Sequence, residues 1–165
     1  MSEAEQAKAT FAAGCFWGVE AAFRAVPGVL ATAVGFCGGR SVEPSYAQVC
    51  GGRTGHAEAV TLEYDPARVD YDALLREFWD CHDPTQWHRQ GADVGSQYRS
   101  VIFCHDEAQM LMAQASREAE QASGRHRGRI VSEIRLLTTF YFAEEEHQQY
   151  MEKLHLGLKQ DLLAP

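Results

Sequence analysis

At 165 residues the chain fits one domain and is long enough to bury a core without metal or disulfide staples; its 45% hydrophobic and 23% charged content is that of an ordinary globular protein. A formal charge of −8, from 15 basic against 23 acidic residues, argues against a nucleic-acid or anionic-membrane surface. The acidic start, Met1-Ser2-Glu3-Ala4-Glu5, lacks an apolar signal core, and no run reaches the roughly eighteen apolar residues of a membrane span, so a cytoplasmic location is expected.

Ala7 to Ala13 predicts a short strand centred on Phe11, and Phe16, Val19, Phe23 and Val26 then recur at helical spacing until Pro27-Gly28 stops the run. Residues 29–37 read as a second strand and 57–64 as a third with clear alternation, separated by a long loop rich in Gly, Pro and Ser. Asp70 is placed to cap a helix whose Tyr71, Leu74, Leu75 and Phe78 form one apolar stripe and which stops near His82-Asp83-Pro84. A loop over 83–96 follows, then a fourth strand at 97–104, a weakly apolar helix at 106–122 and a basic turn from Gly124 to Gly128. A strand at 130–138 and a helix over 142–155 complete the order.

The first six elements run β-α-β-β-α-β. That order predicts an α+β fold, a two-layer α/β sandwich of the ferredoxin-like split βαβ plait, with an appended helix, strand and helix. With no internal repeat or linker, residues 1–165 are expected to form a single domain. In such a plait the first strand lies between the third and fourth, antiparallel to both. The end of the first strand therefore neighbours the starts of the third and fourth and the returning loop over 38–56.

Cys15, in Gly14-Cys15-Phe16-Trp17-Gly18, is expected at a helix N-terminus, where unpaired N–H groups and the helix dipole favour a thiolate; a small buried hydrophobe is the other reading of a free cysteine. Glu58 alternates in register with Val60, Leu62 and Tyr64, which aims it at the apolar face, where a carboxyl resists ionising and becomes a proton donor. An exposed strand start paired with Arg53 is its alternative. Tyr46 and Tyr98 can present hydroxyls to a polar substrate atom or simply pack. Asp93 sits in the Gly-flanked Gly91-Ala92-Asp93-Val94-Gly95, where a turn-forming Asp is the plainer expectation. Phe16 and Trp17 can line an apolar slot or serve as core contacts. His56, His82 and His88 are each a possible base for a Cys–His hydrolase, and His147 reads as a solvated helix face or a polar structural contact. The five cysteines, 15, 37, 50, 81 and 104, form an odd set without disulfide-framework or zinc spacing, so reduced thiols and no metal are expected.

In sequence order, the blocks Gly-Cys-Phe-Trp-Gly-Val-Glu at 14–20, Thr-Gly-His-Ala-Glu at 54–58, Tyr-Asp-Pro at 64–66, His-Asp-Pro-Thr at 82–85, Arg-Gln-Gly-x-Asp-Val-Gly-Ser-Gln-Tyr-Arg-Ser at 89–100 and Ala-Glu-Glu-Glu-His-Gln-Gln-Tyr at 143–150 span nearly the whole chain. Together they resemble the A-type peptide methionine sulfoxide reductases. The resemblance implies that Cys15 attacks the sulfoxide sulfur, Glu58 is the acid, Tyr46 and Tyr98 hold the oxygen, Asp93 supports the polar network, and Phe16 with Trp17 holds the methyl group. It implies the S epimer of free and protein-bound methionine sulfoxide as substrate, no cofactor, and a Cys15 sulfenic acid that a second thiol converts to a disulfide for thioredoxin or glutaredoxin to reduce. Many relatives keep resolving cysteines in a C-terminal tail, whereas this sequence has no cysteine after Cys104. Cys37, beside Gly38-Gly39, is therefore expected to resolve, with Cys50 second and direct attack by glutathione or glutaredoxin third; Cys81 and Cys104 read as packing residues. A non-catalytic thiol redox sensor is the alternative from another class.

Overall fold

A computed structural model of the chain describes residues 7–163, with side chains described through Leu156. Its elements are β1 (Ala7–Ala13), α1 (Phe16–Arg24), β2 (Val29–Cys37), α2 (Tyr46–Cys50), β3 (Ala57–Tyr64), α3 (Tyr71–Asp80), β4 (Arg89–Gln90), β5 (Asp93–Val94), β6 (Ser100–Cys104), α4 (Glu107–Ala122), β7 (Glu133–Leu136), β8 (Tyr141–Phe142) and α5 (Tyr150–Leu163). The main sheet has the order β7-β6-β1-β3-β2-β8, and β1 runs antiparallel to both β3 and β6. The plait expected from the element order is therefore present, extended by β7 parallel to β6 at one edge and by β8 against β2 at the other.

Capping explains where several helices start. The Asp70 carboxylate accepts the Ala73 N–H at 2.8 Å and opens α3, and Asp106 does the same for Gln109 at 2.8 Å in α4. Ser45 and Gln48 cap α2 reciprocally, so the segment between β2 and β3 is not wholly a loop. Three boundaries differ from expectation. Gly95, with φ 143, breaks the chain into a 3₁₀ turn over Ser96–Tyr98, so Tyr98 precedes β6 instead of opening it. Residues 89–94 form a small hairpin within the expected 83–96 loop. Residues 141–142 pair with the sheet and 145–147 form a single 3₁₀ turn, which delays the last helix to Tyr150.

α1, α3 and α4 cover one face of the sheet. Phe11 is its keystone: fully buried, it stacks on Phe23 at 4.8 Å between ring centroids and meets Phe78 at 5.5 Å. A smaller cluster of Ala12, Cys37, Ala57, Ala59, Val101 and Phe103 lines the other face, under Leu137 and Phe140. Among the described residues no helix is long and apolar enough to cross a membrane. Phe11→Ala should lower unfolding free energy by about 3–5 kcal/mol, read as a fall in the urea midpoint; a loss under about 1 kcal/mol would show that the helix layer does not rest on this ring.

Candidate active site

β1 ends at Ala13, Gly14 turns the chain with φ 105, and Cys15 takes the cap position of α1. A side chain on Gly14 would sit 2.9 Å from Gln90 Cβ, so the turn also needs glycine for room. Cys15 is half-buried, and the Trp17 and Gly18 N–H groups at the start of the helix stabilise its thiolate. They are outweighed: burial, with the charges of Glu58 and Asp93, raises the Cys15 pKa. The expected dipole effect is present in direction, yet the resting group is a thiol.

Register brings Glu58 to the same rim. Val60 pairs with Phe11 across β1 and β3, which sets Glu58 level with the end of β1. Its side chain is 1% exposed, which excludes the exposed strand start. Oε1 accepts the Phe16 N–H at 3.1 Å, while Oε2 is buried without a hydrogen-bond partner. Burial pushes the pKa up to about 7; the Phe16 N–H opposes that rise and the Asp93 charge adds to it. Near neutral pH a large fraction of Glu58 therefore keeps its proton.

Two phenols complete the polar half. Tyr46 opens α2, and Tyr98 closes the 3₁₀ turn before β6. Burial raises both pKa values, Tyr98 to about 12, so both hydroxyls stay protonated donors in a space that also feels the Glu58 charge. Asp93 stands exposed on β5 and reaches the centre through its charge on Cys15, Glu58 and Tyr98.

Aromatic rings form the other half. Phe16 is buried, its ring 6.0 Å from that of Tyr46. Trp17 stacks on Tyr150 at 4.0 Å, His147 stacks on Tyr46 at 4.2 Å, and the Trp17 indole N–H donates to His147 Nδ1 at 3.2 Å. His147 is thus a buried polar contact within the site. Sequence reasoning missed its place there, and missed Tyr150 altogether; the signal was the block 143–150, whose spacing suggested one continuous helix.

Cys37 and Cys50 part company. Phe36 faces the helix layer with Phe16, so Cys37, the next residue along β2, points to the opposite face and is fully buried there. Burial pushes its thiol pKa far up. Cys50 is exposed at the end of α2, beside the Tyr46 hydroxyl, and it too feels the Glu58 charge. That placement argues against the expected preference for Cys37.

The histidines offered as bases are occupied elsewhere. His56 donates from Nε2 to the Ser41 carbonyl at 2.7 Å and accepts the Gly39 N–H at 3.0 Å. His82 donates from Nδ1 to the Phe78 carbonyl at 2.6 Å and accepts from Ser100 Oγ at 2.7 Å, and burial drops its pKa to about 4. His88 stacks on Trp87. Among the described residues none of the three bonds Cys15. Glu144, Glu146 and His147 bring ligand-type atoms within 4.8 Å of one another, but the two carboxylates are exposed and His147 Nδ1 already serves Trp17.

A thiol that shares its surroundings with a carboxyl keeping much of its proton near neutral pH and with two hydroxyl donors, an apolar ring slot alongside, suits an enzyme that protonates an oxygen and attacks the atom carrying it. The fold and the thiol-centred site fit a thiol-dependent oxidoreductase. The family model described as peptide methionine sulfoxide reductase matches residues 7–162. A curated relative, peptide methionine sulfoxide reductase MsrA of Geobacter sulfurreducens, is 59% identical over 146 residues, covering 88% of this chain and 90% of that protein. The solved methionine sulfoxide reductase A of Corynebacterium diphtheriae superposes with a TM-score of 0.86 at 40% identity, covering 92% of this chain and 76% of that one. Mxr1 of Saccharomyces cerevisiae in reduced form gives 0.84 at 34% identity, covering 92% and 87%. The chain belongs to the A-type peptide methionine sulfoxide reductase family, and it is an oxidoreductase that reduces methionine sulfoxide.

Glu58→Gln removes a negative charge that raises the Cys15 pKa. Alkylation of Cys15 by iodoacetamide at mildly alkaline pH should therefore quicken; an unchanged rate would show the groups to be uncoupled. Folded Glu58 holds its proton up to about 7, whereas an unfolded chain releases it near about 4.3. The parent should therefore lose stability relative to Glu58→Gln as pH rises through that window, measured by urea denaturation.

Proposed function

We propose that the rim residues divide the reduction of methionine S-sulfoxide, free or in proteins, as follows. Glu58 gives its proton to the sulfoxide oxygen while the Tyr46 and Tyr98 hydroxyls hold that oxygen. Cys15 attacks the sulfur, and its own proton returns to the Glu58 carboxylate. The oxygen passes to Cys15, leaving methionine and a Cys15 sulfenic acid. Phe16 and Trp17 hold the methyl group, and Asp93 supports the charge balance from β5. The observation that carries this reading is Glu58 itself: 1% exposed, bonded through one oxygen to the amide beside Cys15, with the other oxygen unpartnered. A base-assisted hydrolase lacks support, because the candidate histidines are engaged away from Cys15.

Cys50 is the resolving thiol in this reading. Its sulfur displaces hydroxide from the Cys15 sulfenic acid, the thiol proton leaves with that hydroxide as water, and a Cys15–Cys50 disulfide forms. α2 is a single turn, and Gly51-Gly52 follow it, Gly52 at φ 76, so the segment can swing at little cost. A thioredoxin- or glutaredoxin-type dithiol then restores both thiols. The same reading takes residues 1–165 as one domain working in the reducing cytoplasm, in keeping with five free thiols.

Steady release of methionine from the sulfoxide with dithiothreitol should vanish in Cys15→Ser and fall about 10²–10⁴-fold in Glu58→Gln; an unaltered rate in Glu58→Gln removes the acid role, and stoichiometric thiol loss without turnover in the parent supports a sensor instead. Mass spectrometry after one turnover without reductant should find Cys15 linked to Cys50. A Cys15–Cys37 link, or a persistent sulfenic acid, would contradict that assignment.

A further inference from the structure

Among the described residues, the sulfoxide reading leaves one buried carboxylate unused. Glu20 lies one helical turn after Trp17 on α1 and is 1% exposed. Its Oε1 accepts the Gln149 backbone N–H at 2.8 Å; its Oε2 accepts the Gln149 side-chain amide at 2.9 Å and the Thr32 hydroxyl at 2.7 Å. Gln149 has φ 49, a left-handed conformation that costs a residue with a side chain about 1 kcal/mol or more unless its surroundings impose it. The Glu20 carboxylate holds it there, accepting from both the backbone N–H and the side-chain amide, and that amide also donates to the Thr32 carbonyl at 3.0 Å. The neighbouring Gln148 is held as firmly: its amide oxygen accepts the Val34 N–H at 2.8 Å, and its NH₂ donates to the Val34 and Ala143 carbonyls at 2.9 Å each, standing in for a strand on β2. Gln148 and Gln149 separate His147 from Tyr150, the two rings packed against Trp17.

We infer that Glu20 is a positioning residue for substrate binding: it latches the 147–150 segment to α1 and thereby fixes His147 and Tyr150 as the far wall of the ring slot. Trp17 and Glu20 share one face of α1, so the helix that carries the nucleophile also sets the distance to that wall. Arg24, a turn further on, continues the seam by bonding Thr32 at 3.1 Å and Glu152 at 2.6 Å. The inference rests on the reading of Phe16 and Trp17 as the methyl slot. A loosened wall costs contact with the substrate before the chemistry begins, because Cys15 and Glu58 are held by β1, β3 and the α1 amide, not by the latch.

Glu20→Gln turns one acceptor oxygen into a donor facing the Gln149 amide. In saturating dithiothreitol it should raise KM for methionine sulfoxide about tenfold, the scale of one lost charge-assisted hydrogen bond, with kcat within about twofold and the Cys15 alkylation rate unchanged. Gln149→Ala, which keeps the carboxylate and the backbone N–H, should raise KM in the same sense by a smaller factor and supplies the test if Glu20→Gln does not fold. KM within about twofold of the parent in a folded variant, or a fall in kcat with KM unchanged, overturns the latch. Failure of the underlying reading is separate: Trp17→Ala would then leave KM within about twofold of the parent.

Discussion

The hydrogen bond from the Phe16 amide to Glu58 Oε1 joins the two halves of this site, and most of the surrounding structure serves it. It needs β1 and β3 side by side and antiparallel, so that the residue after one strand meets the start of the other. It needs α1 to begin at once after Cys15, so that the first amide of the helix is free to donate. It also needs the aromatic layer from Phe16 to Tyr46, which keeps water from a carboxyl whose second oxygen has no partner. A buried acid with one unsatisfied oxygen is costly to hold, and such groups cluster at functional sites.

Competition between burial and the helix N-terminus sets the proton inventory. A helix dipole at a partly exposed end contributes on the order of 0.3–1 kcal/mol, whereas desolvation moves buried groups by up to several pKa units. Burial wins at both positions: Cys15 stays a thiol and Glu58 keeps its proton to about 7. An ionised Glu58 would oppose the thiolate, so the neutral acid and the nucleophile suit each other. The Cys15 and Glu58 protons thus sit side by side near neutral pH, and the Tyr46 and Tyr98 hydroxyls, with pKa values well above neutral, stand beside them as donors.

Much of this was legible in the sequence, for identifiable reasons. Alternation through Val60, Leu62 and Tyr64 aimed Glu58 at the apolar face, and the β-α-β-β-α-β order placed β1 between β3 and β6, because period and connection rules act locally. Features that depend on tertiary contacts were hidden. α2 is five residues long and owes its start to a reciprocal Ser45–Gln48 cap inside a Gly- and Pro-rich stretch. Tyr98 lies outside β6 because Gly95 adopts a conformation that no hydrophobic pattern encodes. Cys37 looked the better resolving thiol from its flanking glycines, but strand parity turns it to the far face. The 143–150 block read as helix because its polar run has helical composition; in the fold Gln148 bonds the β2 backbone and Gln149 is held in a left-handed turn.

The central claim, that burial lets the Glu58 carboxyl beside Cys15 keep its proton far above the ordinary glutamate range, is open to direct titration. Carbon NMR of the side-chain carboxyls, with Glu58 assigned by its loss in Glu58→Gln, should give that resonance a midpoint near 7. A midpoint close to about 4.3, that of a solvated glutamate, would contradict it.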